Sequence, residues 1–230
     1  MRRPDFARTD LSQLEDRDLQ FIIEHFPVPG KSYEEIARLI HTLPTTLESL
    51  LNSEYLFNKV YGQSKLLLNI SPFLLFSVLL RRNLRDHRAR PDRKIINYLA
   101  NLLSLFVRAD RLFRVEPRDR TDHEYLIDLI NEGEVADARR KFLIHSHIGN
   151  YSLFISGLFF SWIEHRHRYK RRPITTQFYV DMGRTYFQRA ATYPIARELG
   201  LDDVFFRLAL LFESYQATLN HISKTYLRLS

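Results

Sequence analysis

The stretch Phe142 to Ile163, FLIHSHIGNYSLFISGLFFSWI, holds no Asp, Glu, Lys or Arg and is the longest such run in this 230-residue chain. Charged residues make up 27% of the sequence, so their exclusion from this run marks a buried position. Wound at about 100° per residue, the run sorts into two faces. His147, Ile148, Tyr151, Phe154, Ile155, Leu158, Phe159 and Trp162 form a face of large side chains. Ser146, Gly149, Asn150, Ser152, Leu153, Ser156, Gly157 and Ser161 form one of mostly small ones. The small face predicts close approach by another backbone, and the large face predicts core on the opposite side. The run is long enough to cross a bilayer. It also carries two His, an Asn, four Ser and two Gly, and no second comparable span accompanies it, so a soluble buried helix is expected. The chain is read as all-α, a multi-helix bundle around this central helix with an N-terminal tri-helical unit over 1–62. The bundle would cover 63–230, with a layer boundary near 115–122.

Around this axis the periodicity is helical throughout. A first helix is expected over Leu11–Phe26, capped by Asp10 or Ser12 and stopped by Pro27, Pro29 and Gly30. Ser32 with Glu35 makes a capping box for a second, and Pro44 opens a third through TTLESLLNSEYLFNKVYG. Ser71-Pro72 begins SPFLLFSVLLRR, and KIINYLANLLSLFVRADRLFR is strongly amphipathic. Gly133 is read as the stop of HEYLIDLINEG, Gly183 as a point of close approach, and Gly200 as a helix C-cap. The last helix carries Leu201, Phe205, Leu208, Phe212, Tyr215, Leu219, Ile222, Tyr226 and Leu229 in alternating steps of four and three. That heptad stripe predicts a long seam, either inside the bundle or between two copies of the chain.

Ile36, Ala37, Ile40, Leu43, Leu47 and Leu50 have the spacing of a helix-turn-helix. On these residues, and on the Thr46-Leu47 pair, the segment resembles the DNA-binding unit of tetracycline-repressor-type regulators. The resemblance covers about 40 residues. It departs from the family at His41, where a turn Gly is usual, and in a recognition helix without Lys or Arg. It implies a transcriptional regulator touching DNA through Lys31, Arg38, Thr45, Thr46, Ser49 and Asn52, with a helical domain for dimerisation or ligand sensing. Glu48 and Glu54 would repel the phosphate backbone. From Ser71 onward SPFLLFSVLLRR, IGNYSLFISGLFF and DMGRTYF are faintly similar to uncharacterised bacterial helical proteins, which implies a fold and no activity.

The chemistry is sparse. With no cysteine there is no disulfide, thiolate ligand or thiol nucleophile, which suits a reducing, cytoplasmic setting. The start of the chain has no apolar core typical of a secretory signal. His145 and His147 sit about 200° apart on a helix and cannot share an ion there, and the Glu164–His167 pair has no second copy, so no metal or cofactor is expected. His147, Asn150 and Tyr151 interrupt the axis as a buried polar cluster, read as core polars or the lining of a small pocket. Tyr179, Asp181, Arg184, Glu213 and His221 are possible partners for it. The net charge of +7 is concentrated most densely in HRHRYKRR, whose Arg166, Arg168, Lys170, Arg171 and Arg172 form a basic patch able to grip phosphate. The leading expectation is a non-catalytic helical interaction or regulatory protein that self-associates through its C-terminal helix. The alternative is the DNA-binding regulator, with nucleic acid as partner.

Overall fold

The computed structural model describes residues 3–25, 32, 34–35, 38, 44–62, 69–85, 92–119, 126–170 and 174–228, with only the backbone of Pro44 and Lys170. Among the described residues every regular element is helical, and no helix is long and apolar enough to cross a membrane. The chain forms two compact units, Arg8–Ser104 and Met1–Ala7 with Leu105–Ser230. The division drawn from the sequence at 62/63 is a different one from this.

In the 8–104 unit, α1 (Asp16–His25), α2 (Pro44–Leu51), α3 (Glu54–Tyr61) and α4 (Pro72–Leu84) pack together, and α5 (Arg93–Phe106) begins here. The first helix starts at Asp16 rather than Leu11, because Asp10 spends its carboxylate on a local turn with Ser12. Asp18, fully buried in the first turn of α1, accepts from the backbone of Glu15 (2.9 Å) and from the backbone (2.7 Å) and hydroxyl (2.6 Å) of Ser71. Ser71 in turn caps α4 at Leu74. One carboxylate thus joins two helix starts. The capping box forms as expected between Ser32 and Glu35, but most of 33–43 lies outside the described residues. The expected third helix is two helices. Ser53 takes an extended backbone and accepts from Leu56 (3.1 Å), so it caps α3 and ends α2 after eight residues.

In the other unit, α6 (Ala109–Phe113) leads toward α7 (Leu126–Val135), and Asp137 caps α8 (Ala138–Leu158). The axis helix therefore starts earlier than the charge-free run and ends sooner. Phe159 leaves helical geometry (φ −112°, ψ 28°), and α9 (Phe160–Lys170) continues separately. The carbonyls freed at this end are taken by Ser223 on Leu158 (2.6 Å) and by Asn220 on Gly157 (3.5 Å). Trp162, expected on the large buried face, is 48% exposed on α9.

The middle of α8 is buried on all sides, against α7, α10 (Thr176–Thr192) and α13 (Phe212–Ile222). Its small face admits side chains rather than a backbone: a Cβ on Gly149 would lie 2.7 Å from the Phe187 ring, and one on Gly157 2.7 Å from Leu219 Cβ. Gly183 of α10 likewise receives the ring of Phe212. Ser146 and Ser156 donate to the carbonyls one turn back (2.8 and 2.7 Å), so their hydroxyls enter the core satisfied.

The helix expected to stop at Gly133 runs on to Val135, and α10 ends at Thr192 before Pro194 opens α11 (Pro194–Glu198). Gly200 has φ +67°, its N–H donates to Arg197 (3.0 Å) and that of Leu201 to Ala196 (2.8 Å), closing α11 as a Schellman motif. The last helix is also divided. α12 (Asp202–Leu210) and α13 meet at Leu211 (φ −110°, ψ 27°), and a π-type turn follows over Ser223–Leu227. The heptad stripe is buried from Leu201 through Ile222 within its own unit, so this seam is intramolecular. Tyr226 is half-buried and Leu229 lies outside the described residues.

Residues 115–119, at the expected layer boundary, are held by ion pairs. Arg139 reaches Glu116 (3.0 Å), while Arg140 reaches Asp119 (3.0 Å) and Glu132 (2.6 Å). The first residues join the same unit, with Phe6 against Phe142 and Asp5 on the buried Arg111 (2.8 Å).

Candidate functional site

Two positions on α8 face the open side of the fold between α7 and α10: Lys141 and His145, one helical turn apart. Across from them α10 presents Tyr186 and Arg189 at a spacing of three, and Tyr193 follows at its C-cap. Ile130, Gly133 and Glu134 of α7 form the third wall, with Thr192 at the edge. Together they line an open cleft of about 350 Å³, a size at the small end of ligand pockets.

His145 is its centre. Its ring meets Tyr186 and Tyr193 edge-on, with centroids 5.0 and 5.6 Å away, and the Tyr193 hydroxyl lies 3.3 Å from Nδ1. Burial lowers the imidazole pKa to about 4, and the nearby charges of Arg189 and Lys141 push in the same direction. The ring is therefore neutral at ordinary pH. Arg189 lies over the Tyr186 ring, 5.1 Å from its centroid. Burial raises the Tyr186 and Tyr193 pKa values, so both phenols keep their protons. Among the described residues neither Lys141 nor Arg189 has a carboxylate within ion-pair distance.

The expected cluster of His147, Asn150 and Tyr151 is distributed differently. His147 Nε2 lies 3.1 Å from the Leu112 carbonyl, and its ring meets Phe106 edge-on. Asn150 is buried. Tyr151 meets Tyr179 with centroids 6.3 Å apart, and burial pushes its phenol up to about 12. Of the partners expected for this cluster Tyr179 is in place, while the His147 ring is held by a backbone carbonyl instead.

On the 8–104 unit Thr45, Ser49 and Asn52 are exposed and Thr46 half-exposed; Arg38 is exposed and helical, and Lys31 lies outside the described residues. Ser49 and Asn52 donate to the carbonyls of Thr45 (2.9 Å) and Glu48 (2.7 Å), and Arg85 donates to the Asn52 carbonyl (3.2 Å). Glu48 is not a free surface carboxylate. It accepts from the buried Arg81 (2.9 Å), which also donates to Ser77 (2.6 Å) and Asn97 (2.8 Å). Burial lowers the Arg81 pKa and the Glu48 charge opposes that shift.

In the basic run, Arg166 is half-buried with its guanidinium 4.4 Å from the Trp162 ring centroid, and Arg168 is exposed. Tyr169, 67% exposed, meets His165. The Lys170 side chain, Arg171 and Arg172 lie outside the described residues. Glu164 is hydrogen-bonded to Thr176.

The chain was compared with family models, curated proteins and solved structures, and none matches it significantly. The functional reading therefore rests on the geometry of its own side chains.

Lys141, His145, Arg189 and Tyr193 were not among the sequence candidates. Two signals pointed to them: a Lys–His pair at i,i+4 on an otherwise apolar helix, and Tyr186, Arg189 and Tyr193 in steps of three and four. His145 was considered only beside His147 as a metal pair, and neither spacing was used.

Proposed function

We propose that this chain is a non-catalytic regulatory protein whose 105–230 unit binds a small molecule in the His145 cleft. One observation carries the reading: Lys141 and Arg189 converge on an open cleft beside two tyrosines and an imidazole, with no carboxylate among the described residues at ion-pair distance from either. Elsewhere in the same unit comparable cations are engaged, as Arg111, Arg139 and Arg140 are. A general base works best near the operating pH. His145, with its pKa lowered to about 4, is too weak a base for that task, which favours binding over turnover. The test is a small-molecule fragment screen followed through the imidazole and tyrosine NMR signals of the full chain. Ligands that shift His145 and Tyr193 together are expected. A library that leaves both unmoved sinks the reading.

A second reading concerns the 8–104 unit. Because Glu48 is withdrawn onto Arg81, the exposed face of α2 carries Thr45, Ser49 and Asn52 without one of the two repelling carboxylates read from the sequence, while Glu54 on α3 stays exposed beside Arg82. That supports DNA contact through this face, so the ligand cleft would regulate a DNA-reading unit. Anisotropy with duplex DNA across a salt series tests it, comparing a Thr45, Ser49 and Asn52 triple-alanine variant with one altered at Arg166, Arg168, Lys170, Arg171 and Arg172. Loss only in the second points to general phosphate binding by the basic run. Self-association through the C-terminal helices would use their outer face, where Phe206 is 54% and Leu210 62% exposed.

A further inference from the structure

We propose that the ligand of the His145 cleft is a small planar carboxylate held between Lys141 and Arg189, and that its binding takes up a proton at His145. The proposal rests on the ligand-binding reading above and names the class of molecule and the regulation of the site.

Three features select the class. The Arg189 guanidinium carbon lies 5.1 Å from the Tyr186 ring centroid at the cleft wall, and a guanidinium there can fork around two coplanar oxygens. Lys141 adds a point charge from the facing helix. Glu134, the one carboxylate among the described lining residues, stands on the α7 wall. Two cations against one carboxylate favour a single negative charge and disfavour a dianion such as phosphate. Tyr186, Tyr193 and the neutral imidazole supply flat, amphipathic walls for an unsaturated or aromatic body.

The proton follows from the same charges. The groups facing His145 are Glu134 from α7, Lys141 from its own helix, and Tyr186, Arg189 and Tyr193 from α10 and its cap. In the empty cleft, burial and the two cations keep the ring uncharged. A carboxylate seated between those cations cancels their field at the ring and offers the imidazolium an acceptor. The bound state therefore holds its proton to higher pH than the free one, so affinity rises as pH falls. The gain levels off once the free ring also titrates.

Calorimetry on the full chain tests both parts, using benzoate, the neutral isostere benzamide, and inorganic phosphate, in buffers of different ionisation enthalpy. Benzoate should bind at least about tenfold more tightly than benzamide, and Arg189→Gln and Lys141→Gln should each remove most of that preference. Benzoate affinity should rise roughly three- to tenfold between about pH 8 and about pH 5.5. Proton uptake should accompany binding and vanish in His145→Gln. If that variant fails to fold, the His145 imidazole of the unaltered chain is titrated by NMR instead, and benzoate should raise its pKa. Equal affinity for benzamide, a preference for phosphate, or proton uptake that survives in His145→Gln overturns the proposal. A screen that finds only neutral or cationic ligands in the cleft overturns it as well, while leaving the ligand-binding reading standing. If neither the screen nor the probes move the His145 signals, both fall.

Discussion

His145 and His147 stand two residues apart on one helix and meet opposite surroundings. His147 is closed in by the Leu112 carbonyl and Phe106, whereas His145 faces a cleft. The folded chain holds His145 at about 4, and an unfolded histidine titrates near 6.5. Between those values the unfolded chain binds more protons, so stability conferred by the neutral ring is present above about pH 6.5 and is lost as pH falls toward 4. His145→Gln should therefore flatten the fall of Tm with acid over this window, measured by thermal melts across pH. Gly149 supplies a second test. A Cβ there would meet the Phe187 ring at 2.7 Å, so Gly149→Ala should cost about 1–3 kcal/mol in urea denaturation, with Phe187→Leu recovering part of the loss. The small residues of this helix were legible in the sequence; that side chains, Phe187 and Leu219, rather than a backbone would fill the space was not. Residue size gives the volume of a gap, and only the tertiary partner decides what enters it.

At the scale of elements, helix type and sequence order were legible and helix ends often were not. Caps that rest on local chemistry, such as Ser71-Pro72, Ser32 with Glu35, and Gly200, appear where the spacing puts them. Breaks that rest on distant partners were hidden. Nothing in GLFF announces an interruption at Phe159, because the carbonyls released there are taken up by Ser223 and Asn220, more than sixty residues further on. Ser53 lies between the cases, since a serine inside an amphipathic run is a cap only if the run stops. Ser53→Ala should lower stability by about 1 kcal/mol in chemical denaturation. A change within experimental error would show that α2 and α3 do not depend on that cap. Likewise the cleft residues were individually visible, but their meeting depends on how α8 packs against α10, which no local pattern encodes.

At the scale of the molecule, Asp18 is the device most specific to the 8–104 unit. Asp18→Ala leaves the buried N–H of Ser71 without its acceptor, at a cost of roughly 1–3 kcal/mol. Hydrogen exchange should then accelerate in α1 and α4 before it does so in α8 and α10. Equal acceleration everywhere would mean that the two units open as one. The two-unit organisation also has a consequence for synthesis. Residues 1–7 belong with 105–230, so the 8–104 unit is an insertion within the other. On the ribosome, Asp5 and Phe6 emerge long before Arg111 and Phe142 exist to receive them. At typical elongation rates that interval is on the order of ten seconds. Throughout it Phe6 waits unpaired while the inserted unit can fold behind it, so a lesion at Asp5 or Phe6 is felt in the 105–230 unit.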